Sequence, residues 1–201
     1  MTIRAVIFDI GGVLENDPAT GSLERWAGRL GLGGPDMAAR LGPISRAGNI
    51  GAITLDQAQD RIAAVLGLDD AQLARFMADL WAEYLGTLNT ELAGYFGALR
   101  PRYKTAIGSN SFVGARERER DAYGFEDLCD LVVYSHEEGL EKPDPRFYRV
   151  VTDRLGVPPR EAVFLDDHEE CVQGARNVGM AAVLFGSNEQ AIADLDAYLR
   201  G

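Results

Sequence analysis

Four short stretches of this sequence carry side chains that bind ions or attack electrophiles. IFDIGGVLEN sets Asp9 at the end of an apolar run, with Gly11 and Gly12 after it. AIGSN ends on Ser109 and Asn110, GLEKPDP holds Glu141, Lys142 and Pro143, and VFLDDHEE holds Asp166 and Asp167. Brought together, Asp9, Asp166 and Asp167 would repel one another and, at neutral pH, attract a cation. Hard oxygen ligands suit Mg²⁺, which accepts few protein ligands and keeps its waters for a phosphate. Lys142 would balance phosphate charge and hold a carboxylate ionised. The Ser109 hydroxyl and the N–H groups around it can donate to phosphate oxygens. An ionised aspartate can attack phosphorus and form an aspartyl-phosphate, with a bound cation spreading the developing charge. Taken singly, each stretch has an ordinary structural explanation: a loop acid, a strand-end turn, a surface lysine, and a carboxylate pair capping the next helix. Four in this order, each following an apolar run, point to chemistry.

Such groups need elements to carry them. Ile3 to Phe8 is short, apolar and β-branched, and similar runs begin at Lys104, Leu131, Ala162 and Ala181. Their near-continuous apolar character suits central strands of a parallel sheet covered on both faces. Helical patterns lie between and after them: Phe147, Val150, Val151 and Leu155; the stretch ending on Gly179 as a C′ glycine; and Ile192, Leu195 and Leu199. Alternating strands and helices give an open α/β sheet with right-handed crossovers, whose ligands gather at the carboxyl ends of the strands.

From Asp17 to Leu88 no convincing strand is legible. Amphipathic helices replace strands there, one capped by Thr54, another with Leu73, Phe76, Met77, Leu80, Trp81, Tyr84 and Leu85 in one stripe. That stripe reads as bundle packing, and RERER from Arg116 as a solvated helix face. Glycine and proline punctuate the front half of the insertion.

The chain has 201 residues, 46% apolar and 25% charged, with a net charge of −11. That charge argues against nucleic acid or an anionic membrane as partner. Two cysteines without a CxxC motif make no disulfide framework, the N-terminus meets an acid too early for a signal segment, and no apolar run approaches a membrane span. We expect a cytoplasmic protein, monomer or homodimer.

With these motifs in place, the sheet region resembles the haloacid dehalogenase (HAD) superfamily. FDIGGVL resembles its first motif and makes Asp9 the nucleophile. AIGSN resembles the second, with Ser109 as the phosphate-binding hydroxyl and Asn110 as its amide neighbour. GLEKPDPRFY resembles the third, with Lys142 as the lysine. VFLDDHEECVQGARNVGM resembles the fourth, with Asp167 as direct metal ligand and Asp166 as the second acid. The resemblance also implies the Gly11 carbonyl as a metal ligand and a Rossmann-like parallel sheet of order 5-4-1-2-3. It further implies an all-helical cap over 17–88, inserted in a core of 1–16 and 89–201. On this basis we expect a Mg²⁺-dependent phosphatase of a small phosphorylated metabolite. Asp9, Ser109 and Lys142 would be catalytic; Ser109, Asn110 and Lys142 would hold the phosphate; Asp9, Gly11, Asp166 and Asp167 would hold the metal.

Two positions depart from the family pattern. Gly11 stands where most phosphatases of the family carry an aspartate that protonates the leaving oxygen and then activates water, a loss of about 10²- to 10⁴-fold. Candidates for a borrowed acid are Glu15, Asp17, His168 and Glu169. Cys171 stands where similar sequences carry an asparagine that braces the acidic loop. Both departures also fit a non-catalytic member that binds metal and phosphate or a protein. A 2-haloacid dehalogenase shares the nucleophile and lysine, but the Asp166–Asp167 pair argues against it. A receiver domain places its acids in another order.

Overall fold

Strand β1 (Ala5–Phe8) leaves the core at a short strand β2 (Glu15–Asn16) and enters four helices: α1 (Ser22–Arg29), α2 (Gly34–Asn49), α3 (Leu55–Leu66) and α4 (Asp70–Leu85). The chain returns through β3 (Thr87–Leu88), α5 (Thr90–Ala98) and β4 (Lys104–Ser109). After it come α6 (Ala115–Tyr123), α7 (Phe125–Leu128), β5 (Leu131–Tyr134), α8 (Ser135–Glu138) and α9 (Pro145–Leu155). The last four elements are β6 (Ala162–Asp166), α10 (Glu169–Asn177), β7 (Ala181–Leu184) and α11 (Asn188–Arg200). The computed structural model describes residues 2–16, 18 and 20–200.

Five strands form a parallel sheet in the order β5-β4-β1-β6-β7. The labels differ from the expected 5-4-1-2-3 because β2 and β3 are extra; with them left out of the count, the neighbours are the same. β1 lies at the centre, and successive side chains point to opposite faces. Val6 and Phe8 join the cluster of Phe96, Ile107 and Leu165 on one side. Ala5 and Ile7 join Phe147, Val151 and Phe164 on the other. Burial on both faces is why these strands read as unbroken apolar runs.

Helices α1–α4 build a separate apolar cluster around Trp26, Ile44, Ile62, Phe76 and Trp81, which Val113 and Ala115 reach from beyond β4. Capping boxes start α3 (Thr54 with Gln57) and α4 (Asp69 with Gln72), each satisfying two end N–H groups. α2 holds Pro43 in its interior, which is why its sequence looked like punctuation. Two expectations are corrected. Thr87–Leu88 is a strand, pairing antiparallel with Glu15–Asn16 where the chain enters and leaves the helices; two residues carry no readable period. RERER is not a solvated face: Glu119 is fully buried and accepts from the Tyr134 hydroxyl at 2.5 Å. Arg118 stacks 4.0 Å from the Trp81 ring centre, and Arg116 lies 4.7 Å from that of Tyr134. No helix among the described residues is long and apolar enough to cross a membrane.

Candidate active site

Three adjacent strands end together: β1 delivers Asp9 one residue past its last, β4 ends on Ser109, and β6 ends on Asp166. This is the carboxyl edge, where an open parallel sheet leaves a crevice. Lys142 arrives on the loop between α8 and α9 and is seated by Asn110. The Asn110 Oδ1 accepts from the Lys142 N–H at 2.8 Å, and Asn110 Nδ2 donates to the Lys142 carbonyl at 2.9 Å.

Lys142 Nζ lies 2.8 Å from Asp9 Oδ1 and 2.7 Å from Asp166 Oδ2, with its side chain fully shielded from solvent. Burial alone would lower its pKa; the two carboxylates outweigh burial and hold it above its ordinary value. Asp9 is pushed up to about 6, chiefly by burial, with Lys142 opposing and Asp166 adding to the rise. Its Oδ1 accepts from the Ile10 N–H at 2.8 Å as well as from Lys142. Among the described residues Oδ2 accepts no hydrogen bond. Asp166 Oδ1 accepts from the His168 N–H at 2.8 Å, and Asp167 Oδ1 meets His168 Nδ1 at 2.7 Å. The Asp167 carboxylate presses on Gly12, where a Cβ would stand 2.3 Å from Oδ2.

A cavity of about 620 Å³ opens beside these groups, with Gly11, Ser109 and Asn110 on its wall. Asp9, Lys142 and the acidic pair adjoin it without lining it. Asp9, Lys142 and Asp166 are thus in contact, with Asp167 next in chain, while Ser109 and Gly11 face the adjoining cavity. The Asn110 amide is engaged at both ends by Lys142.

Of the borrowed-acid candidates, Glu15 is buried and shares the cavity wall with Gly11, to which its backbone is bridged. His168 is 72% exposed and turned onto Asp167, and Glu169 is exposed. Asp17 lies outside the described residues. Cys171 is buried, its thiol raised to about 12 chiefly by burial, and its carbonyl accepts from the Tyr148 hydroxyl at 2.7 Å. Asp166 is braced by Lys142 and a backbone N–H instead of by residue 171. The closeness of Gly12 to Asp167 went unread in the sequence, although the doubled glycine was its visible sign. The clamp of Asn110 on Lys142 had no sequence signal.

A parallel sheet with an acid–lysine–acid contact at its carboxyl edge defines a class, and comparison with known proteins agrees. The chain belongs to the haloacid dehalogenase-like hydrolases, whose family pattern matches residues 3–179. It is 29% identical to a phosphatase of Mycobacterium tuberculosis, over 94% of this chain and 90% of that protein. It is 27% identical to mouse acyl-CoA dehydrogenase family member 10 over 98% of this chain, but spans only 19% of that longer protein. Among solved structures, a HAD family enzyme of Bacteroides thetaiotaomicron superposes with a TM-score of 0.83 at 22% identity, over 96% and 99% of the two chains. That enzyme has also been crystallised with magnesium and inorganic phosphate (TM-score 0.78, 24% identity, 92% and 96% covered).

Proposed function

We propose that this hydrolase is a Mg²⁺-dependent phosphatase working through an aspartyl-phosphate on Asp9. The observation that carries the proposal is Lys142 Nζ held within 2.8 Å of both Asp9 and Asp166. Such a lysine keeps the nucleophile ionised against burial and leaves one positive charge beside the phosphate. The phosphatase of Mycobacterium tuberculosis and the Bacteroides enzyme's complex with magnesium and phosphate support the same choice.

The residues present fit a hard divalent cation. Two buried carboxylates, Asp9 and Asp166, meet one buried ammonium, and a third, Asp167, follows Asp166 in the chain, an excess of negative charge at this edge. Burial already raises Asp9 to about 6, which a cation would oppose. Asp9, the Gly11 carbonyl and Asp167 would hold the metal, with Asp166 as the second acid. Bound there, Mg²⁺ would spread the charge that develops on the phosphoryl oxygens.

Asp9 Oδ2, which accepts no hydrogen bond from the described residues, attacks phosphorus, and the bond to the leaving oxygen breaks with its electron pair. Ser109 donates to a phosphoryl oxygen. We assign Asn110 to holding Lys142 in place, since both ends of its amide are spent on that backbone. Glu15 is the acid we assign to the leaving oxygen in place of residue 11. Water then attacks the aspartyl-phosphate, passing a proton to the Glu15 carboxylate left by the first step, and inorganic phosphate departs with Asp9 restored. Helices α1–α4 serve as the cap that encloses the substrate. Acetyl phosphate, whose leaving group needs little protonation, is the substrate for the first test. Turnover is expected with Mg²⁺, lost on chelation and abolished by Asp9→Asn; turnover that survives Asp9→Asn contradicts the mechanism. Binding of Mg²⁺ and phosphate without turnover would instead support a non-catalytic member of the family.

A further inference from the structure

The cavity beside the candidate site has a mainly apolar wall. Its volume, about 620 Å³, falls within the range of roughly 300–1,000 Å³ usual for small-molecule sites. Leu41 and Ile44 of α2, Ile62 of α3, Phe76 and Leu80 of α4, and Phe112 line it. Among the described residues on its wall there is no lysine, arginine or histidine, and the charged groups are two acids, Glu15 and Glu83. Glu83 is tied to the Thr20 hydroxyl at 2.8 Å and to the Ser22 N–H at 3.2 Å, so it stays at the wall. Lys142 cannot serve a second anion in the cavity: its ammonium is held between Asp9 and Asp166.

We propose that the substrate is a phosphate monoester with an uncharged, mainly apolar body, and that the cavity rejects bodies carrying a second anionic group. The proposal rests on the phosphatase reading and adds what that reading leaves open, the chemical class of the leaving group. The phosphate would sit toward Asp9 and Lys142, and the body would extend past Gly11 and Ser109 among the α2, α3 and α4 side chains. A carboxylate or second phosphate carried there would lose its hydration, find no cation on the described wall and face Glu83. An alkyl or isoprenoid-like chain would lose only unfavourable contact with water.

The test is calorimetric titration of the whole chain, with Mg²⁺, against non-hydrolysable n-alkylphosphonates from ethyl to octyl and an ω-carboxyalkylphosphonate of matched length. Affinity should rise with chain length, by up to about fourfold per methylene, the factor that burial of one CH₂ is worth. The carboxylated analogue should bind at least about tenfold more weakly than its alkyl partner, the factor of a modest uncompensated desolvation. Leu80→Gln should flatten the chain-length trend. Ser45→Lys, at an exposed wall position, should recover about tenfold for the carboxylated analogue. A flat series, or no binding of any member, overturns the proposal, as does a carboxylated analogue that binds as well as the alkyl one. Acetyl phosphate turnover tests the phosphatase reading separately: turnover with a flat series removes the cavity assignment alone, and a steep series without turnover removes catalysis alone.

Discussion

Gly11 and Gly12 are neighbours that lack side chains for opposite reasons. A Cβ at Gly12 would collide with the Asp167 carboxylate, and its φ of +69° is a backbone that other residues rarely adopt. A Cβ at Gly11 would meet nothing within 4 Å and would face the cavity. Position 11 can therefore take the aspartate common in the family's phosphatases. Gly11→Asp should raise the hydrolysis of simple alkyl phosphates, whose leaving oxygens need a proton, by less than the roughly 10²- to 10⁴-fold a general acid is worth, because Glu15 already supplies one, and should leave acetyl phosphate little changed. Glu15→Gln should slow the alkyl esters in the wild type and have a smaller effect beside Gly11→Asp, because one acid then replaces the other. Steady-state rates of the single and double variants measure this. If Gly11→Asp folds and brings no gain on alkyl esters, protonation of the leaving group is not the missing step.

At the scale of elements, α6 departs furthest from what its sequence advertises. Its alternating charges suggest water on all sides, yet Glu119 packs against Tyr134 and is raised from its ordinary 4.5 to about 7, chiefly by burial, with the Tyr134 hydrogen bond opposing. Between those values the folded protein holds a proton that the unfolded chain has released. The contribution of Glu119 to stability is therefore intact below pH 4.5 and declines as pH rises toward 7, by up to about 3 kcal/mol. Glu119→Gln keeps an acceptor for the Tyr134 hydroxyl and removes the titration. Its melting temperature should gain on the wild type as pH rises from 4 to 8; parallel curves would show that Glu119 is not titrating in that window. The α4 stripe divides in a related way. Trp81 and Met77 pack in the helical cluster, as the periodicity implied, while Phe76, Leu80 and Tyr84 also line the cavity. Periodicity finds the buried face of a helix; it does not say which part of that face meets a hole.

Across the whole molecule, the sheet and its edge were legible because their signals are local. The buried strands are near-continuous apolar runs, and at β1, β4 and β6 a chemistry-bearing residue stands at the end. The cavity was not legible, since its wall draws on α2, α3, α4, the segment after β4 and the segment after β1, which meet only in three dimensions. α2 was hidden by its glycines and Pro43, and the ribbon by its shortness. The net charge of −11 acts on the molecule as a whole and, like the proposed cavity assignment, works against substrates with many anionic groups. The covalent step at Asp9 is the most directly testable part of the proposed mechanism. Water attack on the aspartyl-phosphate also lacks the usual base at residue 11, so the intermediate should accumulate. Brief exposure to acetyl phosphate and Mg²⁺, acid quenching and peptide mass spectrometry should find one added PO₃ group on the peptide containing Asp9, absent after chelation and in Asp9→Asn. Phosphate release without that adduct, or an adduct that persists in Asp9→Asn, would contradict the account.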